Sequence, residues 1–510
     1  MIPLASFTSM SQFAVICTTT AALWLGWRLW SFTLRPMLHP ELPKRYPYLI
    51  PVAGHIRGMV RHTSNVFTQG KKYFGKTREI FSLVVMGEEL YIVTNPSDIQ
   101  EVFKHATSLD HDAMAADILI DMGVTKSTVV RIFEPIYRSK NYIQATHDDF
   151  RAQLHPGPRL DKLQADFLAH IDKSLRYDAV KGPMVKSSPT GSKIISLWEW
   201  CGQVLVDSAI EAFFSGSLYE ANPDMLQDFF TFDEESWKLP YRLPRFAAKK
   251  MYSSMDKCID AVSKWLEFPK EKRQASWIVD QMVEGLKEVE VTDARQRGAM
   301  VFVLFRVVNS NAYRLCFWCL VYLLFDPELL KGIKEEMQPA WSSEGVGSLD
   351  MSYLLDKCPL LSSFYEEVLR FTVDTVGARV VMKETTVGGK KLSPGKKLLM
   401  PFRQGHFDTD FFGPDATSFN PRRFYDNKSL SRSPSWKPFG GGLAWCPGRF
   451  MARREVYMFL GIVLFRFDTN LYAPDHRTPV FPVLDDSIPW GGVLTPKPGH
   501  DVLVEIRARN

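Results

Sequence analysis

The stretch Phe439-Gly-Gly-Gly442-Leu-Ala-Trp-Cys446-Pro-Gly448-Arg-Phe450 carries the strongest structural signal in this chain. Its three consecutive glycines allow the backbone to approach a flat ligand closely, because glycine has no Cβ atom. Pro447 suits a first helical position, so a helix is expected to begin directly after Cys446. The partial positive charge at a helix N-terminus lowers the pKa of a thiol and favours the thiolate. Cys-Pro-Gly alone also fits a buried cysteine on a turn, but the whole segment predicts an axial thiolate ligand for a haem iron.

The same segment resembles the haem-binding loop of the cytochrome P450 superfamily, whose pattern is Phe-x-x-Gly-x-basic-x-Cys-x-Gly. The matching positions are Phe439, Gly442, Cys446 and Gly448. The resemblance extends from about Pro43 to the C-terminus. It implies haem b (iron protoporphyrin IX) with Cys446 as its axial thiolate ligand. It also implies a mainly α-helical fold with a minor β part.

Two upstream motifs match the same superfamily in order and spacing. Glu367-Val-Leu-Arg370 resembles its Glu-x-x-Arg helix, and residues 419–424 (FNPRRF) resemble its Pro-x-Arg-Phe segment. Glu367 and Arg370 are three residues apart and therefore share one face of a helix. The resemblance supplies Arg423 as a third partner. The three residues are expected to form a buried charged triad that holds the segment before the haem loop against the core.

The segment departs from the superfamily pattern at Ala444, where a basic residue usually stands two positions before the cysteine. That basic residue commonly pairs with a haem propionate, so other cations are needed here. Arg379, shortly after the Glu-x-x-Arg helix, is the first candidate. His147 and Arg151 are further candidates. The alternative interpretation of Arg379 is an ordinary surface arginine.

A second departure concerns the long helix that faces the iron. Asn311 and Ala312 stand where most members carry an acid followed by threonine. This resembles the branch that contains sterol 7α-hydroxylases and prostacyclin synthase. The resemblance implies that Asn309, Asn311 and Ala312 form the catalytic wall above the iron, where water or a substrate hydroxyl would carry protons. The alternative is that the asparagines merely cap or kink a helix.

These features predict a monooxygenase that oxidises a hydrophobic small molecule, a fungal-type secondary metabolite such as a terpenoid or alkaloid. Electrons would come from NADPH–cytochrome P450 reductase, with cytochrome b5 as a second donor. A basic surface for such acidic partners is predicted at Lys437, Arg449, Arg453 and Arg454. Pocket segments implied by the resemblance are 109–126, 302–311, 374–380 and 491–494. The alternatives are a haem-thiolate isomerase or dehydratase that needs no external electrons, and a non-catalytic haem sensor.

The N-terminal stretch from Ser11 to Phe32 carries Arg28 as its sole charge and has the length of a membrane-spanning helix. Positive charges follow the stretch and none precede it, which predicts that the body lies in the cytosol. We therefore expect a membrane anchor at 1–33, a proline-rich linker at 34–52 and a haem-thiolate domain at 53–510. This division predicts a single-pass protein of the endoplasmic reticulum membrane, in contact with membrane lipid.

Composition narrows the remaining classes of protein. A chain of 510 residues with 13% aromatic residues suits a large core rather than a disordered protein. A net charge of +5 without a dense basic run gives no basis for nucleic-acid binding. Seven scattered cysteines do not suggest a disulfide framework. Paired strands are predicted at 80–85 and 89–93, a short helix at 96–105, one buried helix at 293–325 and further strands at 387–401 and 493–506.

Overall fold

The computed structural model describes residues 5–75, 79–341, 349–474, 478–488 and 491–509. The α-helices within these ranges are α1 Ala5–Leu29, α2 Arg35–Leu38, α3 Ile56–Arg61, α4 Thr63–Tyr73, α5 Pro96–Lys104, α6 Asp112–Asp121, α7 Lys126–Phe133, α8 Tyr142–Leu154, α9 Pro158–Ser174, α10 Leu197–Phe214, α11 Ser217–Ala221, α12 Met225–Glu235, α13 Lys249–Leu266, α14 Lys270–Arg273, α15 Trp277–Glu288, α16 Ala294–Asn309, α17 Ala312–Leu324, α18 Pro327–Met337, α19 Met351–Asp356, α20 Pro359–Thr372, α21 Arg403–His406, α22 Thr409–Phe412, α23 Arg423–Asp426 and α24 Arg449–Arg466.

The strands are β1 Lys44–Arg45, β2 Phe81–Val85, β3 Glu88–Ile92, β4 Leu109–Asp110, β5 Val185–Ser187, β6 Lys193–Ser196, β7 Val376–Val381, β8 Thr385–Val387, β9 Lys390–Leu392, β10 Lys397–Pro401, β11 Phe467–Tyr472 and β12 Leu503–Ala508. They form a six-stranded sheet in the order β1-β2-β3-β10-β7-β4, a four-stranded sheet in the order β11-β12-β6-β5, and the pair β8-β9. In the larger sheet β7 runs antiparallel to β10, with Arg379 opposite Leu398. The predicted fold class, mainly α with a minor β part, is confirmed.

The helical core lies where α10, α17, α20 and α24 meet. Large aromatic side chains from these helices are fully buried, among them Trp200, Trp318, Tyr365 and Tyr457. A smaller apolar cluster packs under the larger sheet and includes Ile80, Leu398 and Met400. Burial of this much apolar surface is the main force that holds the helices together. The core thereby fixes α17, α20 and α24 as a frame for the site described below.

The predicted hairpin is confirmed within about one residue of its expected bounds. β2 and β3 pair antiparallel, with Phe81 opposite Ile92. Gly87 lies in the turn with φ +84°, a conformation that glycine adopts without steric cost. α5 confirms the predicted short helix, and the side chain of Asn95 caps it by accepting from the Ser97 N–H. The predicted strand at 493–506 is wrong over most of its length, because β12 begins only at Leu503.

The predicted single helix at 293–325 is interrupted. α16 ends at Asn309, and α17 begins after Asn311, whose backbone has φ −120° and ψ −35°. Two side chains at this point bond back to helix carbonyls: Asn309 Nδ2 donates to Phe305 O at 2.9 Å and Ser310 Oγ donates to Arg306 O at 2.7 Å. Such local bonds compete with the helical ladder and bend it. The kink that was the alternative interpretation of these residues is therefore present.

The predicted linker at 34–52 contains regular secondary structure. α1 continues through a π-helical turn, Trp30–Leu34, and then α2. Within the predicted linker, β1 pairs in parallel with β2, and Arg45 Nε donates to Glu89 Oε1 at 2.9 Å. The second half of the linker therefore belongs to the sheet. Among the described residues, the helical run with the length and apolarity of a membrane span is Ala294–Leu324, of whose most apolar window 67% is buried. That run is the core segment α16–α17.

Candidate active site

A cavity of about 550 Å³ lies between the α16–α17 junction, β7, the glycine-rich loop and the start of α24. All four predicted pocket segments contribute to its wall. Its lining side chains are mostly apolar, as in sites that bind small hydrophobic molecules. The lining residues from those segments are His111, Met114 and Ile118; Leu304, Val307, Val308 and Asn311; Thr375, Val376, Gly377, Ala378 and Arg379; and Gly491, Gly492 and Val493.

Cys446 lies in the wall of this cavity at the end of the glycine-rich loop. Its backbone N–H donates to Phe439 O at 3.0 Å, which closes the loop. Gly442 adopts φ +63°, and a Cβ atom there would lie 2.9 Å from the Phe103 ring. Glycine is therefore required for the turn and for the close packing of Phe103, as well as for access to a flat ligand. Cys446, Phe439 and Gly448 line the cavity, whereas Gly442 packs against Phe103.

The helix after the cysteine begins later than expected. α24 starts at Arg449, with Gly448 as its N-cap, so Pro447 is not a helical residue. Backbone N–H groups of Gly448 and Arg449 and the charge of Arg449 favour the thiolate, but burial is the largest influence and raises the pKa of the Cys446 thiol. The expected lowering of the thiol pKa by the helix end is therefore present but is outweighed by burial. The sulfur is surrounded by protein yet faces the open cavity, and a metal cation placed there deprotonates a coordinating thiol.

The predicted triad residues meet in the buried core. Arg370 donates to both carboxylate oxygens of Glu367, at 2.7 and 2.8 Å. Arg423 Nε donates to Glu367 Oε1 at 3.2 Å. Arg370 and Arg423 also both donate to Ser418 O, at 3.1 and 3.0 Å. The buried charges are thus compensated by ionic partners and backbone carbonyls, which is the condition for burying them. This network attaches the segment before the haem loop to α20.

Arg379 lies in the cavity wall and is only 5% exposed. Its Nη1 donates to Ala378 O at 2.7 Å, and its guanidinium lies 5.7 Å from the centre of the Phe103 ring. Burial lowers the pKa of Arg379, although the charges of Asp110 and Asp112 oppose that effect. Within the described ranges no carboxylate forms an ion pair with it. An anionic group in the cavity would supply that missing partner, so the surface-arginine interpretation is wrong.

Two histidines stand near the same part of the cavity wall. His147 lines it as predicted, and burial lowers the pKa of its imidazole. His111, which the sequence did not single out, also lines the cavity, and the two rings lie 6.3 Å apart. Arg151 is exposed and pairs with Asp148 at 3.3 Å, so its candidacy is wrong. Arg379, His111 and His147 therefore form the cationic and polar part of the lining.

The structure separates the three residues predicted above the iron. Asn311 and Ala312 line the cavity. Asn309 faces away from the cavity and lies against α10, with only 2% of its surface exposed. Its Oδ1 has no hydrogen-bond partner among the described residues. Asn309 is the last residue of α16, whereas Asn311 lies beyond the interruption and outside both helices, so their side chains take different directions. The prediction that Asn309 belongs to the catalytic wall is therefore wrong.

Glu455 on α24 is a cavity residue that the sequence did not single out. It lines both the main cavity and the small space beside Asn309. It is 5% exposed and has no ionic or hydrogen-bonded partner among the described residues, and burial raises its pKa to about 8. A buried carboxyl without a partner avoids its desolvation cost by staying protonated. Glu455 is therefore mostly neutral at pH 7.

We expect Glu455→Gln to flatten the pH dependence of stability. The pKa of Glu455 is raised in the folded protein to about 8, whereas in the unfolded chain it is about 4.3. Its contribution to the free energy of unfolding is therefore complete below about pH 4.3 and is lost as the pH rises to about 8. The loss amounts to roughly 3 to 5 kcal/mol, and a neutral glutamine avoids it. Denaturation midpoints between pH 5 and 8 should diverge, with the variant more stable at the alkaline end.

The exposed Glu335 on α18 provides the matched control for removal of one carboxylate. Glu335→Gln should change the free energy of unfolding by less than about 0.5 kcal/mol. Parallel midpoint curves for the parent chain and Glu455→Gln would show that the carboxyl ionises freely in the folded state.

The predicted basic surface around the cysteine is largely engaged within the protein. Arg453, half-buried, forms an ion pair with the less exposed Glu366, and Arg454 pairs with Asp161 at 2.9 Å with its own side chain 12% exposed. Lys437 is half-buried. Arg449 donates to Cys446 O at 2.8 Å and lies 4.0 Å from the centre of the Trp445 ring. The prediction of a four-residue landing surface is therefore wrong for Arg453 and Arg454.

Comparison with known proteins agrees with this geometry. Residues 224–503 match the family model described as Cytochrome P450. A cytochrome P450 monooxygenase of Penicillium oxalicum is 23% identical over 92% of this chain and 96% of its own length. A second, of Penicillium decumbens, is 24% identical over 82% of this chain and 84% of its own. The human 7-alpha-hydroxycholest-4-en-3-one 12-alpha-hydroxylase is 25% identical, covering 90% of this chain and 91% of that enzyme.

Proposed function

Since this chain belongs to the cytochrome P450 family, we propose that it oxidises a hydrophobic secondary metabolite of terpenoid or alkaloid type, with electrons from an NADPH-dependent reductase. The enzyme class follows from its relatives, which are monooxygenases, and the family implies haem with an axial cysteine thiolate. Cys446 is the cysteine of this chain that matches the motif, and it lies in the wall of the cavity. That placement is the observation on which the proposed site depends.

The residues in the cavity fit a bound haem. Glycine at 441 and 442 keeps the loop thin, Cys446 would supply the sulfur ligand, and Arg379 supplies a buried cation that has no ionic partner among the described residues. The haem propionates are the anionic groups that Arg379 would hold, with His111 and His147 near them. Bound haem supplies the redox chemistry, while the protein orients the substrate and excludes water.

The substrate class follows from the rest of the lining. Met114, Ile118, Leu304, Val307 and Val376 offer no hydrogen-bonding side chain. A substrate surrounded by such residues is recognised through apolar burial, at about 25 cal/mol per Å². The human relative named above is a hydroxylase of 7-alpha-hydroxycholest-4-en-3-one, and this supports a mostly apolar substrate here as well. We therefore expect a terpenoid skeleton with few polar groups.

The isomerase or dehydratase alternative is supported by one feature, Asn311-Ala312 in place of an acid and a threonine. The deciding experiment supplies haem-loaded full-length chain with cytochrome P450 reductase, NADPH and a panel of terpenoids in ¹⁸O₂. The monooxygenase proposal predicts NADPH-dependent products that carry one ¹⁸O atom. Conversion of a terpenoid hydroperoxide without NADPH, and without incorporation from O₂, would establish the alternative.

We also propose a location at the endoplasmic reticulum membrane, with the haem domain on the cytosolic side. Side chains of α1 such as Phe13, Ile16 and Leu23 are 69%, 63% and 71% exposed. A lipid bilayer is the environment that buries such a helix. Arg28 donates to Tyr48 O at 2.8 Å, which ties α1 to the body. Retention in the membrane fraction after carbonate washing, lost on deletion of residues 1–33, tests this.

Arg379→Gln is expected to weaken haem retention about 10- to 100-fold, the range found when a group supporting a metal centre is removed. Glutamine keeps a hydrogen-bonding end but loses the charge that a propionate needs. The measurement is the rate of haem transfer to apomyoglobin. Arg151→Gln is the matched control, because Arg151 is exposed and lies outside the cavity wall. Equal transfer rates for the two variants would remove Arg379 from the haem site.

A further inference from the structure

We propose that the loop Gly491–Leu494 is a positioning element for Asn311. The loop holds the side-chain oxygen of Asn311 and leaves the amide nitrogen to face the cavity as a hydrogen-bond donor. The inference depends on the proposed haem site and adds to it the residues that orient the one amide in the wall. Asn311 would touch the ligand, whereas Gly492 and Val493 act through it.

Asn311 occupies the N-cap position of α17 but does not cap that helix. An N-cap asparagine ordinarily accepts from a backbone N–H of the first helical turn, and no such bond forms here. Its Oδ1 instead accepts from the Val493 N–H at 2.9 Å. Because a backbone N–H can only donate, this contact identifies the oxygen of the amide and therefore also its nitrogen.

The nitrogen of the same amide is available to a ligand. Nδ2 has no hydrogen-bond partner among the described residues, and the side chain is exposed on the cavity wall. A primary amide carries two N–H donors and no proton that titrates near neutral pH. Asn311 can therefore orient a ligand oxygen, while it cannot supply the proton itself.

Gly492 makes the contact between loop and amide possible. A Cβ atom at this position would lie 2.1 Å from Asn311 Oδ1 and 3.2 Å from its Nδ2. The backbone of Gly492 is not in the left-handed region, so glycine is required here for space rather than for conformation. At the adjacent Gly491 a Cβ atom would meet nothing within 4 Å. The same added methyl group would therefore collide with Asn311 at position 492 and would meet no atom at position 491.

The loop is held from several sides, so it can impose the orientation of Asn311. Its backbone pairs with the end of α20: the Leu494 N–H donates to Thr372 O at 2.8 Å. Trp318 Nε1 donates to Leu494 O at 2.7 Å, and Arg314 Nη1 donates to Val493 O at 3.3 Å. These two donors belong to α17, the helix that Asn311 begins.

Arg314 also connects the loop to the helix α12. It forms a fully buried ion pair with Asp233, with side chains 2% and 1% exposed. Tyr313 Oη donates to the same carboxylate oxygen at 2.9 Å. Separating a buried ion pair of this kind is strongly unfavourable, because each charged group would then be buried without a counter-charge. The loop, α12 and α17 therefore hold Asn311 as one unit.

The test uses carbon monoxide on the dithionite-reduced, haem-loaded full chain, read by infrared spectroscopy. A donor aimed at the ligand oxygen weakens the C–O bond and lowers its stretching frequency, since distal donors tune what the iron holds. Asn311→Leu should raise the frequency. Gly492→Ala should shift it in the same direction, because the added methyl displaces the amide. The double variant should match Asn311→Leu alone, since Gly492 acts through Asn311.

Gly491→Ala is the control for adding a methyl group to this loop, and its C–O band should move less than that of Gly492→Ala, because a Cβ atom at position 491 meets nothing within 4 Å. An unmoved band in Gly492→Ala, or a double variant that shifts further than Asn311→Leu, would overturn the proposal. If Gly492→Ala does not retain haem, Trp318→Phe removes one bond that holds the loop without adding volume. It should give a smaller shift of the same sign, and an unmoved band would again overturn the proposal.

The measurement needs neither substrate nor NADPH. Failure of the positioning role therefore leaves the proposed oxidation intact. Failure of the proposed oxidation would appear as missing NADPH-dependent product in a protein whose C–O band responds as described.

Discussion

Cys446→Ser eliminates monooxygenase turnover and the spectrum of a thiolate-ligated haem. A serine hydroxyl stays protonated where a thiol bound to a metal is deprotonated, so the iron loses its anionic sulfur ligand. We expect the reduced carbon monoxide complex to lose its strongly red-shifted Soret band. Product formation should fall more than about 100-fold, which exceeds the effect of removing a residue that only supports a metal ligand. Absorption spectra and product analysis on the same samples measure both effects.

Cys17→Ser is the control for that substitution, because Cys17 is exposed on α1 and does not line the cavity. It should leave the spectrum and the turnover unchanged. A red-shifted band that survives in Cys446→Ser would mean that another residue binds the iron, and the assignment of the site would fail.

Arg423→Met should destabilise the fold by roughly 3 to 5 kcal/mol, the cost of leaving a buried ionic partner uncompensated. Methionine keeps similar bulk but loses the donors to Glu367 Oε1 at 3.2 Å, Asp415 Oδ1 at 2.9 Å and Phe412 O at 2.7 Å. Glu367 is fully buried and would keep Arg370 as its one charged partner. The expected result is a small yield of haem-containing protein and a large fall in its denaturation midpoint.

The adjacent Arg422 provides a closely matched control. It pairs with Asp426 at 3.5 Å, and both side chains are more than half exposed, at 54% and 59%. Exposed pairs contribute no more than about 1 kcal/mol. Arg422→Met should therefore fold and bind haem like the parent chain. Similar midpoints for the two neighbouring variants would show that burial of the triad contributes nothing to stability.

The sequence predicted the structure correctly where the interactions that determine it lie within a short segment of the chain. The hairpin around Gly87 and the helix capped by Asn95 form as predicted, because alternation, turn residues and caps act within a few residues. The ligand Cys446 was identified in the same way, since the glycines, the cysteine and the following helix are contiguous. Glu367 and Arg370 share a helix face for a purely local reason as well.

Predictions failed where the partner of a residue lies far along the chain. The direction of the Asn311 amide was not predicted, because its side-chain oxygen accepts from the Val493 N–H, 182 residues away. The helix end was expected to lower the pKa of the Cys446 thiol, but burial in the folded protein is the larger influence and raises it. Arg453 was expected to be free at the surface, but it is half-buried and forms an ion pair with Glu366, 87 residues away.

The sequence by itself determined that Cys446 is the sulfur able to bind haem iron, that the helix with Glu367 carries the stabilising carboxylate, and that the protein is mainly helical. Those properties depend on residue type and short spacing, which folding does not alter. The tertiary structure alone decides which polar groups face the cavity, which charges remain without partners and which way the Asn311 amide points. These depend on burial and on contacts between segments far apart in the chain, and the free energy of a buried polar group is set by whatever surrounds it.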